Sequence, residues 1–280
     1  LVINNCIIAG NYGSHGGGMI CCGVNARIRN TTIANNTAGN HAGGLTVYDG
    51  AVPDLANSIV WGNAPVQFYG SGAQVAYSCV QGGYAGNGIV TGDPCLQSGS
   101  CNLQTGSSCI DQGSDAVDAD QDSPLYSLTA DLDGVPRPLD GNNDGSACMD
   151  IGAHEYVHPV ADTDHDGLSD KGELETWNTS PINDDCDGDG QSDGTEIIAG
   201  TGAWDSNDYF TCDAQMHNNK QLFWQGISGR LYTVQWKMDL HAEWEDAADF
   251  TNVPGMDGTM SYTNQQTGLT YYRVRISMDD

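Results

Sequence analysis

Short apolar runs closed by Asn or Gly recur at a fixed interval through the first third of the chain. Ile3-Asn4-Asn5-Cys6-Ile7-Ile8-Ala9-Gly10-Asn11 aligns with Ile28-Arg29-Asn30-Thr31-Thr32-Ile33-Ala34-Asn35-Asn36 at an offset of 25, and then with Leu55-Ala56-Asn57-Ser58-Ile59-Val60-Trp61-Gly62-Asn63 at an offset of 27. A second register agrees, because His15-Gly16-Gly17-Gly18-Met19 precedes His41-Ala42-Gly43-Gly44-Leu45 by 26 residues. A degenerate fourth copy starts at Val75 and carries Ser78, Cys79 and Val80. Runs too short for helices, at this period, predict a β solenoid with one coil per repeat. Inward apolar side chains would stack from coil to coil, and Asn5, Asn30 and Asn57 are expected to form a hydrogen-bonded ladder at a turn. Several Leu per repeat, which a leucine-rich solenoid needs, are missing.

The pattern changes three times further on. Residues 93–158 lose the repeat and are expected to close the solenoid, since an open end leaves backbone groups unpaired. Residues 159–208 are acidic. Residues 209–280 alternate apolar and polar positions in Gln221–Trp224, Leu231–Trp236, Met260–Thr263 and Thr270–Ile276, between Gly, Asn and Pro turns, which predicts a small β-sandwich. The expected architecture is therefore mainly β: parallel β coils over 1–92, an end module over 93–158, a linker over 159–208 and a β-sandwich over 209–280.

The acidic linker holds two copies of one twelve-residue pattern: Asp162-x-Asp164-x-Asp166-Gly167-x-x-Asp170-x-x-Glu173 and Asp185-x-Asp187-x-Asp189-Gly190-x-x-Asp193-x-x-Glu196. Calcium takes roughly six to eight oxygens, and this spacing provides carboxylates at positions 1, 3, 5 and 9, a backbone carbonyl at position 7 and a bidentate Glu at position 12. The seventh positions are Leu168 and Gln191. Two bound Ca2+ ions are expected. Without them the clustered carboxylates repel one another. Short helical patterns follow each loop, Glu173–Trp177 and Glu196–Ala199, the second stopped by Gly200.

A formal charge of -28, from 37 acidic and 9 basic residues, argues against nucleic acid and against anionic membrane surfaces as partners. No stretch approaches the roughly 20 apolar residues of a membrane span. Ten cysteines without a C-x-x-C pair point to an oxidising, extracellular compartment. Cys95 with Cys101, Cys79 with Cys109, and Cys186 with Cys212 are the candidate disulfides. Leu1 opens within a repeat, so the chain reads as the C-terminal part of a longer secreted precursor.

Asn57-Ser58-Ile59-Val60-Trp61-Gly62-Asn63, Tyr77-Ser78-Cys79-Val80, Gly92-Asp93-Pro94, Cys109-Ile110-Asp111-Gln112-Gly113, Asp131-Leu132-Asp133-Gly134-Val135-Pro136-Arg137-Pro138 and Asp150-Ile151-Gly152-Ala153-His154-Glu155-Tyr156 resemble the choice-of-anchor end module of bacterial secreted proteins with right-handed parallel β-helices. The resemblance spans residues 1 to about 158, and it implies extracellular display without implying a reaction. The two acidic loops resemble thrombospondin type 3 repeats. A dockerin is the rival reading; both twelfth positions are Glu and Ser169 and Ser192 stand at position 8, against the dockerin pattern. Runs Gly229–Trp236 and Tyr271–Val274 are similar to terminal modules of the same secreted proteins.

Catalytic chemistry has little to work with. Residues 1–90 contain two acidic groups, Asp49 and Asp54, and two basic ones, Arg27 and Arg29, whereas glycoside hydrolysis needs a spaced carboxylate pair. His15 and His41, with Cys6, Cys21 and Cys22, fit stacked turn and core positions better than a zinc or copper site. Arg137, among Asp131, Asp133 and Asp140, reads as a structural ion pair. His154 and His158 fall on alternate positions of an expected strand. Trp224, Tyr232, Trp236, Trp244, Tyr262 and Tyr271 read as sandwich core, with a carbohydrate-stacking platform as the alternative. The expected function is that of a non-enzymatic, calcium-binding extracellular structural or adhesion protein. Alternatives are a fibre subunit that homo-oligomerises through its open coil end, and a module that binds or degrades extracellular polysaccharide.

Overall fold

The computed structural model describes residues 1–118, 129–215, 221–263 and 270–278. The chain is mainly β and divides into two compact units, 1–164 with 169–182, and 165–168 with 183–280.

In the first unit the repeats become short strands: β1 (Val2–Asn4), β2 (Ile7–Ala9), β3 (Tyr12–Gly13), β4 (Met19–Cys22), β5 (Arg27–Arg29), β6 (Thr32–Ala34), β7 (Thr37–Ala38), β8 (Leu45–Tyr48), β9 (Asp54–Ala56), β10 (Ile59–Trp61), β11 (Phe68–Tyr69), β12 (Gln74–Ala76) and β13 (Cys79–Val80). Equivalent strands of successive repeats pair in parallel, giving sheets β1-β5-β9-β12, β2-β6-β10-β13 and β4-β8-β11, and a β3-β7 pair. The registers Ile3↔Ile28↔Leu55↔Val75 and Ile8↔Ile33↔Val60↔Val80 follow the repeat alignment residue by residue. Ile28, Leu55, Val75, Leu45, Val60 and Val80 form the interior. Tyr84 and Ile89 pack on that same cluster while Val90 pairs with Cys79 and Asn87 accepts from the Tyr77 N–H, so residues 84–90 lie over the last repeat.

Asn5, Asn30 and Asn57 share a left-handed turn conformation, with φ of 47°, 43° and 48°. Asn tolerates this region better than most residues. The predicted ladder does not run through them. Asn5 donates to the Ala130 carbonyl, and Asn57 exchanges two hydrogen bonds with the Ser114 backbone. The ladder runs instead through the last Asn of each aligned block. Asn11 donates to Asn36 (3.1 Å), Asn36 to Asn63 (3.0 Å), Asn63 to Gln67 (2.8 Å), and Gln67 to Gln81 (2.9 Å).

The described residues of 93–158, which are 93–118 and 129–158, lie along the flank of the stack. Thr32, Ile59 and Cys79 point away from the interior on the second sheet, and the segment covers them: Leu103, Cys109 and Ile151 join Ile59 and Cys79 in one apolar cluster. The Ala153 N–H donates to Thr32 Oγ1 and the Gly152 N–H to the Asn57 carbonyl. Gly152, at φ 119°, is required here, because a Cβ would stand 2.7 Å from the Ile59 side chain. Arg137 is buried and pairs with Glu155 (3.2 Å) rather than with Asp131, Asp133 or Asp140. Asp131 and Asp133 flank His154 instead, at 3.7 and 3.3 Å, and residues 154–158 form no strand.

In the second unit, β14 (Cys212–Gln215), β15 (Gln221–Gly226) and β19 (Gly258–Thr263) make one antiparallel sheet. A second antiparallel sheet joins β16 (Arg230–Lys237) to β17 (Glu245–Asp246), β18 (Val253–Pro254) and β20 (Tyr271–Met278). Trp224, Tyr232, Val234, Ala247, Met260 and Tyr262 fill the cluster they share, with Trp236 packed against it. Trp244 stands outside that cluster under two cations, Lys237 at 4.7 Å and Arg273 at 4.6 Å from its ring.

Candidate metal centre

The second acidic loop lies wholly in the second unit. Gly190, at φ 97°, makes the turn at position 6 that other residues adopt only with strain. Ser192 then caps the helix Asp193–Ala199 by accepting from the Thr195 N–H, and Gly200 ends it in the left-handed conformation, its N–H bonded to the Glu196 carbonyl. Positions 9 and 12 therefore sit in the first turn of this helix. Its backbone dipole favours negative charge there.

Asp185, Asp187 and Asp189 each present a carboxylate oxygen within 4.8 Å of the others. Backbone donors fix their orientation. Asp185 accepts from Gly188 and Gly190, Asp187 from Asp189, and Asp189 from Gln191. Asp193 accepts from the Cys186 N–H, and Glu196 from the Thr201 hydroxyl. In each of Asp187, Asp189, Asp193 and Glu196 the second oxygen is buried and has no hydrogen-bond partner. Asp193 and Glu196 are themselves fully buried. Burial, and then the charges of Asp187, Asp189 and Asp193, push Glu196 up to about 7.

The loop is braced against the antiparallel sheets. Gln191 exchanges two hydrogen bonds between its side-chain amide and the Phe210 backbone. Arg230 on β16 donates to the carbonyls of Ile197 and Ile198 at the end of the helix. Sequence reasoning missed both braces. Gln191 was named only for its carbonyl, and Arg230 carried no signal, lying 32 residues from its partner.

The first loop is divided between the units. Asp162, Asp164, Asp170 and Glu173 belong to the first, and Asp166 and Leu168 to the second. Its local bonding repeats that of the second loop. Asp170 accepts from the Thr163 N–H as Asp193 does from Cys186, and Asp166 from Leu168 as Asp189 does from Gln191. Glu173 accepts from the Thr179 hydroxyl as Glu196 does from Thr201. Loop position 2 bears on this bonding. Thr163 Oγ1 also donates to the second oxygen of Asp170, whereas the second oxygen of Asp193 has no partner. The helical pattern after this loop is a turn at Asp170–Gly172 followed by a wider π turn at Glu173–Trp177, closed by left-handed Asn178.

The other candidates resolve into packing. The His15 and His41 rings lie 5.5 Å apart but tilted rather than stacked, and His41 stacks instead on Tyr69 at 4.1 Å. Cys21 is buried in the interior, and Cys22 donates to Asp49. None of the three expected cysteine pairs is bonded in this structure. No helix among the described residues is long and apolar enough to cross a membrane. The chain matches no family model, no curated protein and no solved structure.

Proposed function

We propose that this chain is a calcium-binding, non-enzymatic structural module of an extracellular protein. In this reading its first unit is a right-handed parallel β-helix with a covered flank, and its second is a small β-sandwich built together with a calcium loop. The observation that carries the proposal is the set of buried, unclaimed carboxylate oxygens on Asp187, Asp189, Asp193 and Glu196. A buried carboxylate is expensive unless paired, and several converging ones need a cation.

The donor set is all oxygen, which favours a hard divalent ion, and the long Glu at position 12 suits the larger, more flexible shell of calcium over magnesium. When bound, the ion neutralises the loop. Asp185, Asp187, Asp189, Asp193 and Glu196 would hold it, with the Gln191 carbonyl at the seventh position. By its twelve-residue spacing alone, the first loop would take a second ion. The β-helix reading is supported by three parallel sheets that each take one strand per repeat in sequence order. A non-enzymatic role is supported by the engagement of the few charges on the repeats, Asp54 with Arg29 and Asp49 with Cys22.

Calcium titration by calorimetry, combined with limited proteolysis, tests the proposal. Calcium is expected to bind, raise the thermal midpoint and protect residues 159–208 from cleavage. Indistinguishable melting curves and digestion patterns in calcium and in chelator would remove it.

A further inference from the structure

The outward column of the second parallel sheet ends at Cys79 on β13, and Cys109 reaches it from the flanking segment. Both side chains are fully buried, in the same apolar cluster as Ile59, Leu103 and Ile151. The two thiols interact with each other, and the Cys79 thiol also donates to the Gly92 carbonyl at 3.4 Å. Separate elements hold the two backbones. Cys79 pairs with Ile59 and donates to the Ser58 carbonyl, whereas Cys109 donates to Ser107 Oγ and accepts from the Ile151 N–H. Neither of the other two expected pairs is buried in a common apolar cluster: Cys95 and Cys186 are partly exposed and Cys212 is exposed.

We propose that Cys79 and Cys109 form a disulfide that locks the last strand of the parallel stack to the segment covering its flank. The cross-link closes the loop between positions 79 and 109, and such closure stabilises chiefly by restricting the unfolded chain. The oxidant is a small-molecule disulfide such as oxidised glutathione. One protein thiolate attacks a glutathione sulfur, forms a mixed disulfide and releases one glutathione thiolate. The second protein thiol gives its proton to solvent and attacks the protein sulfur of that mixed disulfide, which expels the second glutathione. Two protein thiols are thereby oxidised to one disulfide, and one glutathione disulfide is reduced to two thiols.

Burial of both sulfurs places the exchange before the flank closes and shields the finished bond from reductant.

The test is peptide mapping of the full chain refolded in a glutathione redox buffer, alkylated under denaturing conditions and digested without reductant. The expected product is a linked pair of peptides containing Cys79 and Cys109, lighter by two hydrogen atoms than their reduced sum. Recovery of both residues as alkylated thiols, or of either one joined to a different cysteine, would overturn the proposal. So would a zinc ion found by elemental analysis to be held by the two sulfurs. In a parallel arm, denaturing reductant should lower the melting midpoint of the wild type and leave C79A/C109A unshifted; equal shifts in both proteins would also overturn it. Should that double variant fail to fold, the wild-type map decides alone.

Discussion

Replacing Glu196 with Gln should change stability in opposite directions with and without calcium. Glu196 is raised from 4.5 to about 7 by burial and by its acidic neighbours. A shift of that size corresponds to about 3 kcal/mol if nothing screens it. Water and counter-ions reach an acidic loop, so about 1–2 kcal/mol is the working figure. The folded-state value is raised, so the stabilisation from the protonated carboxyl is complete below about pH 4 and is lost as pH rises through about 7. In chelator at pH 8, therefore, E196Q should be more stable than wild type by about 1–2 kcal/mol, because it carries no charge to bury. Its remaining oxygen still accepts from the Thr201 hydroxyl. At pH 5 the protonated Glu and the Gln are nearly equivalent and the difference should shrink towards zero. Calcium at about a hundred times its dissociation constant adds about 2.7 kcal/mol to wild type. The variant loses most of that, and the order inverts. Urea unfolding followed through the buried Trp224, at both pH values with calcium or chelator, reads all of these differences. A variant less stable than wild type in chelator at pH 8, or a difference independent of pH, would refute the electrostatic account of the loop.

Three further perturbations separate the parts of the structure. Arg230→Met removes both donors from the carbonyls ending the helix Asp193–Ala199; it should cost about 2 kcal/mol, speed amide exchange after Ile197 and weaken calcium binding at the second loop, and an unchanged calcium affinity would show the brace and the metal to be uncoupled. Arg137→Met leaves Glu155 buried without its cation and should cost about 3–5 kcal/mol at pH 8. That loss shrinks at low pH, since burial and Asp150 already favour protonated Glu155, and R137M/E155Q should recover part of it; equal unfolding midpoints for the single and double variants would contradict this. Asn36→Ala strips the buried centre of the amide ladder, which bonds Asn11, Asn63 and the Ile8 carbonyl, and should cost about 2–3 kcal/mol against less than about 1 kcal/mol for exposed Asn11→Ala. Similar losses from the two would mean that the ladder is not cooperative.

What the sequence disclosed was what neighbouring residues decide. The strand registers of the repeats follow from matching apolar positions, and a slip by one residue would turn every interior side chain outward. The acidic loops are equally local. Each is complete within twelve residues, and the Ser192 cap and Gly200 stop can be recognised beside the second. Long-range choices were not legible. Two Asn columns run through the aligned repeats, and composition does not distinguish them; the one at Asn5 and Asn57 turns to Ala130 and Ser114, which lie far along the chain. A signal for the covered flank was nevertheless present. Ile7, Thr32, Ile59 and Cys79 share the outward column of the second sheet, and a sheet that is apolar on both faces must be covered on both. That column placed the segment at the side of the stack, where reasoning from unpaired edges alone placed it at the end.

The 37 acidic residues of this chain also show why carboxylate content by itself is a poor guide to metal. On the flank of the first unit, Asp150 is as deeply buried as Asp193 and Glu196 of the second loop, and burial pushes it up to about 7. Yet both of its oxygens are claimed, by the N–H groups of Asp111 and Tyr156. Asp131 accepts from Asp133, Val135 and Glu155, and Glu155 from Leu139 and Asp150 beside Arg137. Such groups complete their hydrogen bonding within the fold. In the second loop the backbone claims one oxygen each of Asp187, Asp189 and Asp193, the Thr201 hydroxyl claims one of Glu196, and the remaining four are buried without a donor. Both oxygens of Asp131 and Asp150 thus have donors, whereas one buried oxygen of each of Asp187, Asp189, Asp193 and Glu196 has none.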